Sequence, residues 1–434
     1  MQFHSTKNHA LKASLQEAIF RSLPPDNGLY MPDSIPSLPE SFFDRIHEMS
    51  FNEIAIEVTC ALLGDDLTRK EVENIVSRAF DFSAPVIKID DDDMNILELF
   101  HGPSMAFKDF GARFMASLMS HFLQKSNKTI DILVATSGDT GGAVAQGFYK
   151  VPGINVTILY PSGKVSDIQE KQLTTLGENV RAVEIEGTFD DCQNLVKLAF
   201  LDDELNRKFN LSSANSINIS RLIPQSFYYF FAYAQLVKEN KPVVFSVPSG
   251  NFGNLSAGLL AWKMGLPVEK FIASTNLNNA VPQFLSSGVY SPQESVATIS
   301  NAMDVGNPSN FVRMSRLLDD DMQLISQMVK GYFFDDDQTR AAMRNVYEKT
   351  GYVLCPHTAV AYLGLRQYME EESRPLSGVV LSTAHPAKFL DLVEETLGEK
   401  ISIPENLGKL LSKRKEAVKM SARFADFKSW LLDS

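Results

Sequence analysis

Residues beyond about 95 alternate between short β-rich runs and helical stretches, and this alternation constrains the fold more than any other feature of the chain. Each run is apolar and is followed by a turn and then by a helical pattern. The runs lie at 129–135, 155–160, 180–185, 242–247, 271–274 and 378–381. This alternation predicts parallel sheets covered by helices, in which ligands collect at the carboxyl ends of the strands.

The composition excludes several classes of protein. With 44% hydrophobic residues over 434 positions, the chain can bury a large core, which excludes a disordered or fibrous protein. The net charge of −12 disfavours nucleic acid and anionic membranes as partners. The three cysteines form no CxxC pair, so we expect no disulfide framework and no metal site. Residues 1–14 lack the apolar region of a signal peptide, and the densest apolar run, 227–234, is too short to span a membrane, so we expect a cytoplasmic protein.

Residues 1–95 show a different, mostly helical pattern. Apolar residues recur at helical spacing around 15–23 and again around 54–62. The acidic run at 89–93 is typical of a solvated surface turn and forms a natural boundary. We therefore expect a helix-rich N-terminal region that precedes the α/β part.

The turn after the run at 129–135 reads Thr136-Ser-Gly-Asp-Thr-Gly-Gly-Ala143. Its small residues allow a ligand to approach the backbone, its hydroxyls can donate hydrogen bonds, and the helix that follows directs its N–H groups toward an anion. An ordinary strand-to-helix turn capped by Thr or Asp explains the same string. The string matches neither a Walker A loop nor a GxGxxG fingerprint.

Two further stretches carry donors for anions. Pro248-Ser-Gly-Asn-Phe-Gly-Asn254 follows the run at 242–247 and has the same design as the first turn. Asn215-Ser-Ile-Asn-Ile-Ser-Arg221 adds amide, hydroxyl and guanidinium groups, and Arg suits the forked recognition of phosphate or carboxylate. A capped helix with a surface Arg is the alternative for this third stretch. Two anion-type turns after separate strands indicate phosphate on a cofactor, on a substrate or on both.

The string His101-Gly-Pro-Ser-Met-Ala-Phe-Lys-Asp-Phe-Gly111 places Lys108 between two phenylalanines after a Gly-Pro turn. An apolar setting lowers the pKa of an ammonium group and leaves an amine that can form a Schiff base. The alternative is a solvated or paired lysine, for which Asp109 is the neighbouring partner.

Together these strings resemble the motifs of the threonine synthase family, which comprises pyridoxal 5′-phosphate enzymes of the tryptophan-synthase β-like group. The resemblance rests on five strings in matching order, with shorter matches near both ends, so it spans nearly the whole chain. The strings lie at 101–111, 136–141, 215–221, 248–254 and 382–389.

The resemblance implies cofactor contacts for particular residues. Lys108 would hold pyridoxal 5′-phosphate as a Schiff base and then move protons among the substrate carbons. Thr383 would face the pyridine nitrogen, and Asp139 would lie at the 3′-oxygen, where related enzymes often have Asn. The loop around the cofactor phosphate would consist of Gly250, Asn251, Phe252, Gly253 and Asn254.

The resemblance also implies a substrate, O-phospho-L-homoserine. The enzyme would form L-threonine and phosphate by γ-elimination and β-hydration, the last step of threonine biosynthesis. The substrate phosphate would be held by Thr136, Ser137, Thr140, Asn215, Ser216 and Arg221.

The implied fold is the α/β fold of fold-type II pyridoxal-phosphate enzymes, with two α/β domains and a helix-rich N-terminal domain. We predict the N-terminal domain at 1–95, a large cofactor-binding domain from 96–126 and 223–395, and a smaller inserted domain at 127–222. Residues 396–434 are expected to form an appended, partly helical tail. The state in solution is left open between monomer and homodimer.

Two other functions remain open from the sequence. On the same fold, a phospho-lyase or deaminase would release a keto acid in place of threonine. A non-catalytic protein that binds phosphate ligands would keep the turns, but the presence of Lys108 gives it no support. His101, His357 and His385 fit no metal pattern and are expected to hydrogen-bond loops.

Overall fold

The structure is a computed structural model that describes residues 1–89, 93–124, 128–372 and 374–433. The central part of the predicted acidic boundary, Asp90 to Asp92, lies outside the described residues. No helix in the described ranges is long and apolar enough to cross a membrane.

The described residues form fourteen strands and twenty α-helices. The strands are β1 (Gln2–Ser5), β2 (Lys12–Ser14), β3 (Tyr30–Pro32), β4 (Val86–Lys88), β5 (Met94–Glu98), β6 (Ile130–Ala135), β7 (Ile154–Pro161), β8 (Val180–Glu186), β9 (Leu211–Ser212), β10 (Val243–Pro248), β11 (Lys270–Thr275), β12 (Val329–Phe333), β13 (Ser377–Ser382) and β14 (Val418–Ser421). The helices are α1 (Leu15–Arg21), α2 (Glu40–Arg45), α3 (Phe51–Leu63), α4 (Arg69–Ala79), α5 (Lys108–Leu123), α6 (Asp139–Phe148), α7 (Asp167–Thr174), α8 (Phe189–Leu201), α9 (Asp203–Lys208), α10 (Ile219–Leu222), α11 (Gln225–Leu236), α12 (Gly253–Lys263), α13 (Ala280–Ser287), α14 (Phe311–Leu317), α15 (Met322–Met328), α16 (Asp336–Thr350), α17 (Pro356–Glu371), α18 (Leu390–Leu397), α19 (Glu405–Leu411) and α20 (Phe424–Asp433). Short 3-10 helices cover Ile46–Glu48, Val237–Glu239, Asn301–Met303 and Pro386–Phe389.

Two largely parallel sheets form the α/β part, as the alternation predicts. One has six strands in the order β12-β11-β10-β13-β5-β4, all parallel except β4, which runs antiparallel to β5. The other has five parallel strands in the order β14-β8-β7-β6-β9. All six runs predicted from the sequence are strands of these sheets, which confirms the predicted fold class.

The N-terminal region contains four helices, three of which begin with capping boxes. The pairs Ser14 with Glu17, Ser50 with Glu53 and Thr68 with Glu71 satisfy the first free amides of α1, α3 and α4. This region also holds a three-stranded antiparallel sheet, β2-β1-β3, that we did not predict. Its strands have only three or four residues, too few to produce a readable alternation.

The segment after residue 396 contributes more than the helical tail we expected. Its strand β14 pairs with β8 and forms one edge of the five-stranded sheet. Helix α20 then packs its buried residues, Phe427 and Leu431, against the core beneath that sheet. A four-residue strand in a charged segment gives little pattern, so the sequence alone did not predict this pairing.

The main apolar core includes helix α11. Helix α11 carries the aromatic run, and Phe227, Tyr228, Tyr229 and Phe230 are fully buried in the main apolar cluster. This placement confirms the prediction that the run is helix core. The carboxyl ends of β6, β10 and β13 lead into the turns that begin at residues 136, 249 and 383, and the last of these contacts the start of α5.

Candidate active site

Lys108 is the first residue of α5, immediately after the turn that begins at His101. Its side chain is partly exposed, and its ammonium lies 5.3 Å from the centre of the Phe107 ring. Burial lowers its pKa, Asp139 opposes this effect, and the positive charges of Lys388 and Arg221 add to it. In the described part of the chain Lys108 has no ion-pair partner, so the amine is available for reaction.

Asp109 does not act as the partner of Lys108 that the alternative reading required. Its Oδ2 accepts a hydrogen bond from the amide of Ser104 at 2.9 Å. Burial raises the pKa of Asp109 to about 6, against the opposing effect of that hydrogen bond. Gly102 is needed at this point, because a Cβ there would lie 2.4 Å from Asp109 Oδ2.

Thr383 and Lys108 are held close together by the backbone. The carbonyl of Thr383 accepts a hydrogen bond from the amide of Phe107 at 2.8 Å, and Ala106 forms an isolated β-bridge with Ala384. The Thr383 side chain is buried, and its hydroxyl makes no hydrogen bond to a described residue. This hydroxyl is therefore free to meet a ligand next to Lys108.

The turn 248–254 is an open cradle of amide groups. It connects β10 to α12, and Phe252 adopts a left-handed conformation with φ 60° just before the helix begins. The five amides of 250–254 donate to no acceptor in the described part of the chain. Asn254 closes the turn, since its Nδ2 donates to the Pro248 carbonyl at 2.9 Å. Such amides at a helix N-terminus are suited to a phosphate group.

Gly250 permits a close approach that no other residue could make. A Cβ at this position would lie 2.8 Å from both the Ala302 carbonyl and the Met303 Cα. Both of these are backbone atoms, so a side chain could not be accommodated by a change of rotamer. His357 supports the same segment, because its Nε2 accepts a hydrogen bond from the amide of Ala302 at 3.1 Å.

The turn 136–141 uses two of its amides internally, whereas those of Ser137, Asp139 and Thr140 donate to no acceptor in the described part of the chain. Thr136 is buried, and its Oγ1 accepts hydrogen bonds from the amides of Gly138 at 3.0 Å and Gly141 at 2.8 Å. Ser137 and Thr140 are half-buried, and their hydroxyls make no hydrogen bond to a described residue. Of the three hydroxyls in this turn that we predicted for the substrate phosphate, Thr136 thus shapes the turn, and those of Ser137 and Thr140 are free to meet a ligand.

The stretch 215–221 meets the cradle at Ser216. The Oγ of Ser216 accepts hydrogen bonds from Asn251 Nδ2 at 2.7 Å and from Asn310 Nδ2 at 3.4 Å. Asn215 is half-buried. The structure therefore brings a residue predicted for the substrate phosphate into contact with a residue predicted for the cofactor phosphate.

Arg221 is buried behind Lys108. Its Nη1 donates to the Ala214 carbonyl, and its Nε has no acceptor among the described residues. Burial lowers its pKa to about 10 despite the attraction of Asp109. Gly111 lets the guanidinium cross α5, because a Cβ there would lie 2.6 Å from Arg221 Nε. Arg221 is therefore a buried cation with a donor left unpaired among the described residues, the kind of group that binds anions.

Asp139 opens α6 and is paired with a lysine. Its Oδ1 accepts from Lys388 Nζ at 2.9 Å and from Gln169 Nε2 at 3.0 Å. Burial opposes ionisation of Asp139, but the charges of Lys388 and Lys108 outweigh it and hold the pKa of Asp139 well below its usual range. Asp139 is therefore a carboxylate at neutral pH.

His357 and His385 hydrogen-bond loop or helix segments, as predicted, whereas the partner of His101 is the last residue of β5. His101 Nε2 lies 2.8 Å from Glu98 Oε2, His385 Nδ1 accepts from the amide of Ala387, and His357 supports Ala302. Burial lowers the pKa of both His357 and His385 to about 4. Both are neutral at physiological pH.

Comparisons with known proteins agree with this geometry. Residues 96–383 match the family model of pyridoxal-phosphate dependent enzymes. Residues 2–80 match the model of the threonine synthase N terminus, and residues 358–430 match that of the threonine synthase C-terminal region. The curated threonine synthase of Escherichia coli (strain K12) is 45% identical over 408 residues, which is 94% of each chain.

The chain belongs to the threonine synthase family.

Solved structures of this family superpose over almost the whole chain. The crystal structure of threonine synthase from Escherichia coli gives a TM-score of 0.92 with 42% identity and covers 100% of both chains. The structure of pyridoxal-phosphate-bound threonine synthase from Brucella melitensis gives a TM-score of 0.92 with 33% identity, covering 99% of this chain and 98% of that one. The chain is a pyridoxal-phosphate-dependent enzyme of fold-type II, as the resemblance implied.

Sequence reasoning gave no role to two buried cations at this family site. Lys388 lies inside the string at 382–389, but a lysine between alanine and phenylalanine carries no signal of its own, and its partner Asp139 is far away in sequence. Arg313 is fully buried in α14 and donates to the carbonyls of Tyr30, Ser216 and Ile217. It anchors the start of the 215–221 stretch, and only the folded chain reveals this contact.

Proposed function

We propose that this enzyme converts O-phospho-L-homoserine and water to L-threonine and phosphate, in the cytoplasm and as a monomer or homodimer. One observation carries the proposal. Two sets of phosphate-type donors meet at the hydrogen bond between Asn251 and Ser216, and Arg221 of the second set also acts on Lys108, a lysine whose pKa burial lowers. The substrate and the cofactor each bring one phosphate, and the chain has a set of donors for each.

The residues present fit pyridoxal 5′-phosphate. Its phosphate matches the five amides of 250–254, which have no acceptor among the described residues and line a turn that Gly250 keeps open. Lys108 supplies the amine that would bind the aldehyde, and the free hydroxyl of Thr383 would meet the ring nitrogen. Asp139 keeps one oxygen, Oδ2, outside its contacts with Lys388 and Gln169 and would lie at the 3′-oxygen.

The cofactor, when bound, supplies an electron sink that acidifies the α-proton of the substrate. The amine of Lys108, once released, would take this proton, remove one from Cβ, and return protons to Cγ, which becomes the methyl group, and to Cα. The lowered pKa of Lys108 suits this role, because it increases the fraction of the amine that is unprotonated and can accept a proton. The C–O bond at Cγ then breaks with loss of phosphate, and water adds at Cβ.

The remaining donors would hold the substrate phosphate. We assign to it the free hydroxyls of Ser137 and Thr140, the side chains of Asn215 and Ser216, and the buried guanidinium of Arg221. Thr136 would contribute indirectly, because its hydrogen bonds to the amides of Gly138 and Gly141 fix the conformation of the turn that carries Ser137 and Thr140. Arg221 is the strongest of these, because a charge-assisted hydrogen bond in a buried pocket is stronger than a neutral one.

The test combines a spectrum with a product assay. Purified protein supplied with pyridoxal 5′-phosphate should show an absorbance band that Lys108→Ala lacks. On addition of O-phospho-L-homoserine, the wild type should release phosphate and threonine in equal amounts, and the variant should release neither. Release of phosphate together with 2-oxobutyrate would identify a phospho-lyase, and absence of the chromophore would refute the catalytic assignment.

A further inference from the structure

The ammonium of Lys388 is fully buried and uses its donors completely. It donates to the carbonyl of Ser104 at 2.7 Å, to Gln172 Oε1 at 2.9 Å and to Asp139 Oδ1 at 2.9 Å. A buried ammonium is costly unless it is paired and hydrogen-bonded. Three contacts for three N–H groups meet that requirement, so the site is built for a cation.

The contacts of Lys388 come from three different segments. Lys388 itself lies on the 3-10 helix after the six-stranded sheet, whereas Asp139 and Gln172 lie on α6 and α7 beside the five-stranded sheet. Ser104 belongs to the turn that leads into Lys108, and its carbonyl also accepts from Gln172 Nε2 at 2.9 Å. Lys388 thus ties the turn before the reactive lysine to the start of α6.

Few titratable groups face Asp139 in the described part of the chain. Lys388 and Lys108 face it as cations, from the 3-10 helix and from α5. From the beginning of α17, Cys355 and His357 also face it. Both are neutral near pH 7, because burial raises the pKa of Cys355 and lowers that of His357 to about 4. From α7 only the amide of Gln169 contacts it. Of the two lysines, only Lys388 contacts the carboxylate, whereas Lys108 acts on it from beyond ion-pair distance.

We propose that Lys388 is a positioning residue that holds the Asp139 carboxylate as its own partner and so leaves the amine of Lys108 free to react. The inference rests on the proposed function, because only an enzyme that uses Lys108 as an amine needs this arrangement. Without Lys388, the remaining cation that acts on Asp139 among the described residues is Lys108, and an ion pair between them would keep the amine protonated. Lys388 acts through Asp139 and does not itself touch the reacting atoms.

The proposal predicts shifts of opposite sign for the two partners. In Lys388→Gln, Asp139 pairs with Lys108 in place of Lys388, so the pKa of the Lys108 amine rises. In Asp139→Asn, the negative charge beside Lys108 is lost, so the amine releases its proton more readily. In the double variant both charges are absent and the two effects cancel.

The experiment measures how fast the cofactor-free, full-length chain takes up pyridoxal 5′-phosphate between about pH 6 and pH 9. Uptake of the cofactor requires the unprotonated amine of Lys108, so the rate rises with pH. The midpoint of this rise gives the pKa of that amine. Arg221, which also faces Lys108, stays charged across this range because its pKa is about 10. The ionisation of the added cofactor is the same for every variant.

We expect the midpoint of Lys388→Gln to rise by about 1 pH unit and that of Asp139→Asn to fall, because a charge a few ångströms away shifts a pKa by this order. The double variant should return close to the wild-type midpoint and should also recover thermal stability lost in Lys388→Gln. Lys388→Arg, which keeps the charge, should leave the midpoint near that of the wild type. If Lys388→Gln does not fold, the pH midpoints of Asp139→Asn, the double variant and Lys388→Arg still test the proposal.

Shifts in the same direction for both single variants, or a double variant whose midpoint stays as far from the wild-type value as that of either single variant, would overturn the proposal in favour of a purely structural role. Failure of the proposed function is distinct from this, because then the wild type itself would form no chromophore or no threonine. A wild type that forms threonine, with one midpoint common to all variants, would refute the role of Lys388 alone.

Discussion

The two glycine-containing turns of the site follow their strands in the same way but use their amide groups differently. In the turn 248–254, five amides have no acceptor in the described chain, so the backbone forms a ready anion site. In the turn 136–141, Thr136 Oγ1 already accepts two of the amides. The same kind of string therefore produces a preformed backbone cradle in one place and a braced platform for side chains in the other. We assign the turn 248–254 to the cofactor, which stays bound between reaction cycles, and the turn 136–141 to the substrate, which is exchanged in each cycle.

Gly250→Ala should have the largest effect, because it breaks the cradle and leaves the platform intact. The new Cβ would lie 2.8 Å from two backbone positions, so the cradle must move. We expect pyridoxal 5′-phosphate to bind up to about 100-fold more weakly, since overpacking costs about 1–3 kcal/mol. Equilibrium titration of the chromophore measures this. Gly253→Ala is the matched control in the same turn, because its Cβ would meet Asn310 and Ser216 only at 3.4 and 3.6 Å. Equal losses in both variants would contradict the account.

His357, which supports the segment beside the cradle, makes the stability of the chain depend on pH. Because burial lowers the pKa of His357 to about 4, the unfolded chain takes up its proton first as the pH falls below 6.5. This stabilising contribution is complete above pH 6.5 and is lost as the pH falls toward 4. Between pH 7 and pH 5 we expect a loss of about 2 kcal/mol in the free energy of unfolding.

His357→Gln separates this effect from other titrating groups. Glutamine keeps an acceptor for the Ala302 amide but carries no proton equilibrium. Denaturant unfolding at both pH values should therefore give a smaller loss of stability in the variant. Identical pH slopes for the two proteins would show that His357 does not contribute.

Arg221→Lys should weaken the substrate side and spare the cradle. Lysine keeps the charge but loses the forked geometry and the free Nε donor. We expect KM for O-phospho-L-homoserine to rise about tenfold, which corresponds to the loss of roughly one charge-assisted hydrogen bond. Steady-state kinetics at saturating cofactor measures this. An unchanged KM with weaker cofactor binding would move Arg221 from the substrate to the cofactor.

Thr136→Val should give the smallest effect, confined to the platform. It removes the acceptor for the amides of Gly138 and Gly141 at nearly constant volume. We expect a loss of about 1–2 kcal/mol in the free energy of unfolding and a rise of a few fold in KM. Thr136→Ser keeps the oxygen and is the control. A change in cofactor affinity in Thr136→Val would contradict the assignment of the turn 136–141 to the substrate alone.

The sequence predicted the parts of the molecule that are governed by local patterns. The six β-rich runs and the two turns were readable because strand, turn and helix signals follow each other within about twenty residues. The short strands β1, β9 and β14 were not readable, because strands of two to four residues leave no periodicity. Lys108 was found through its unusual apolar neighbours. Its companion Lys388 was not, because the contact with Asp139 exists only after two sheets have packed together.

The most direct test follows the reaction of O-phospho-L-homoserine in water enriched in oxygen-18. The account requires the carbon–oxygen bond at Cγ to break and water to add at Cβ. It therefore predicts one labelled oxygen in the threonine hydroxyl and none in the phosphate. Labelled phosphate released together with homoserine would mean that the phosphorus–oxygen bond is cleaved, and this result would contradict the proposed reaction.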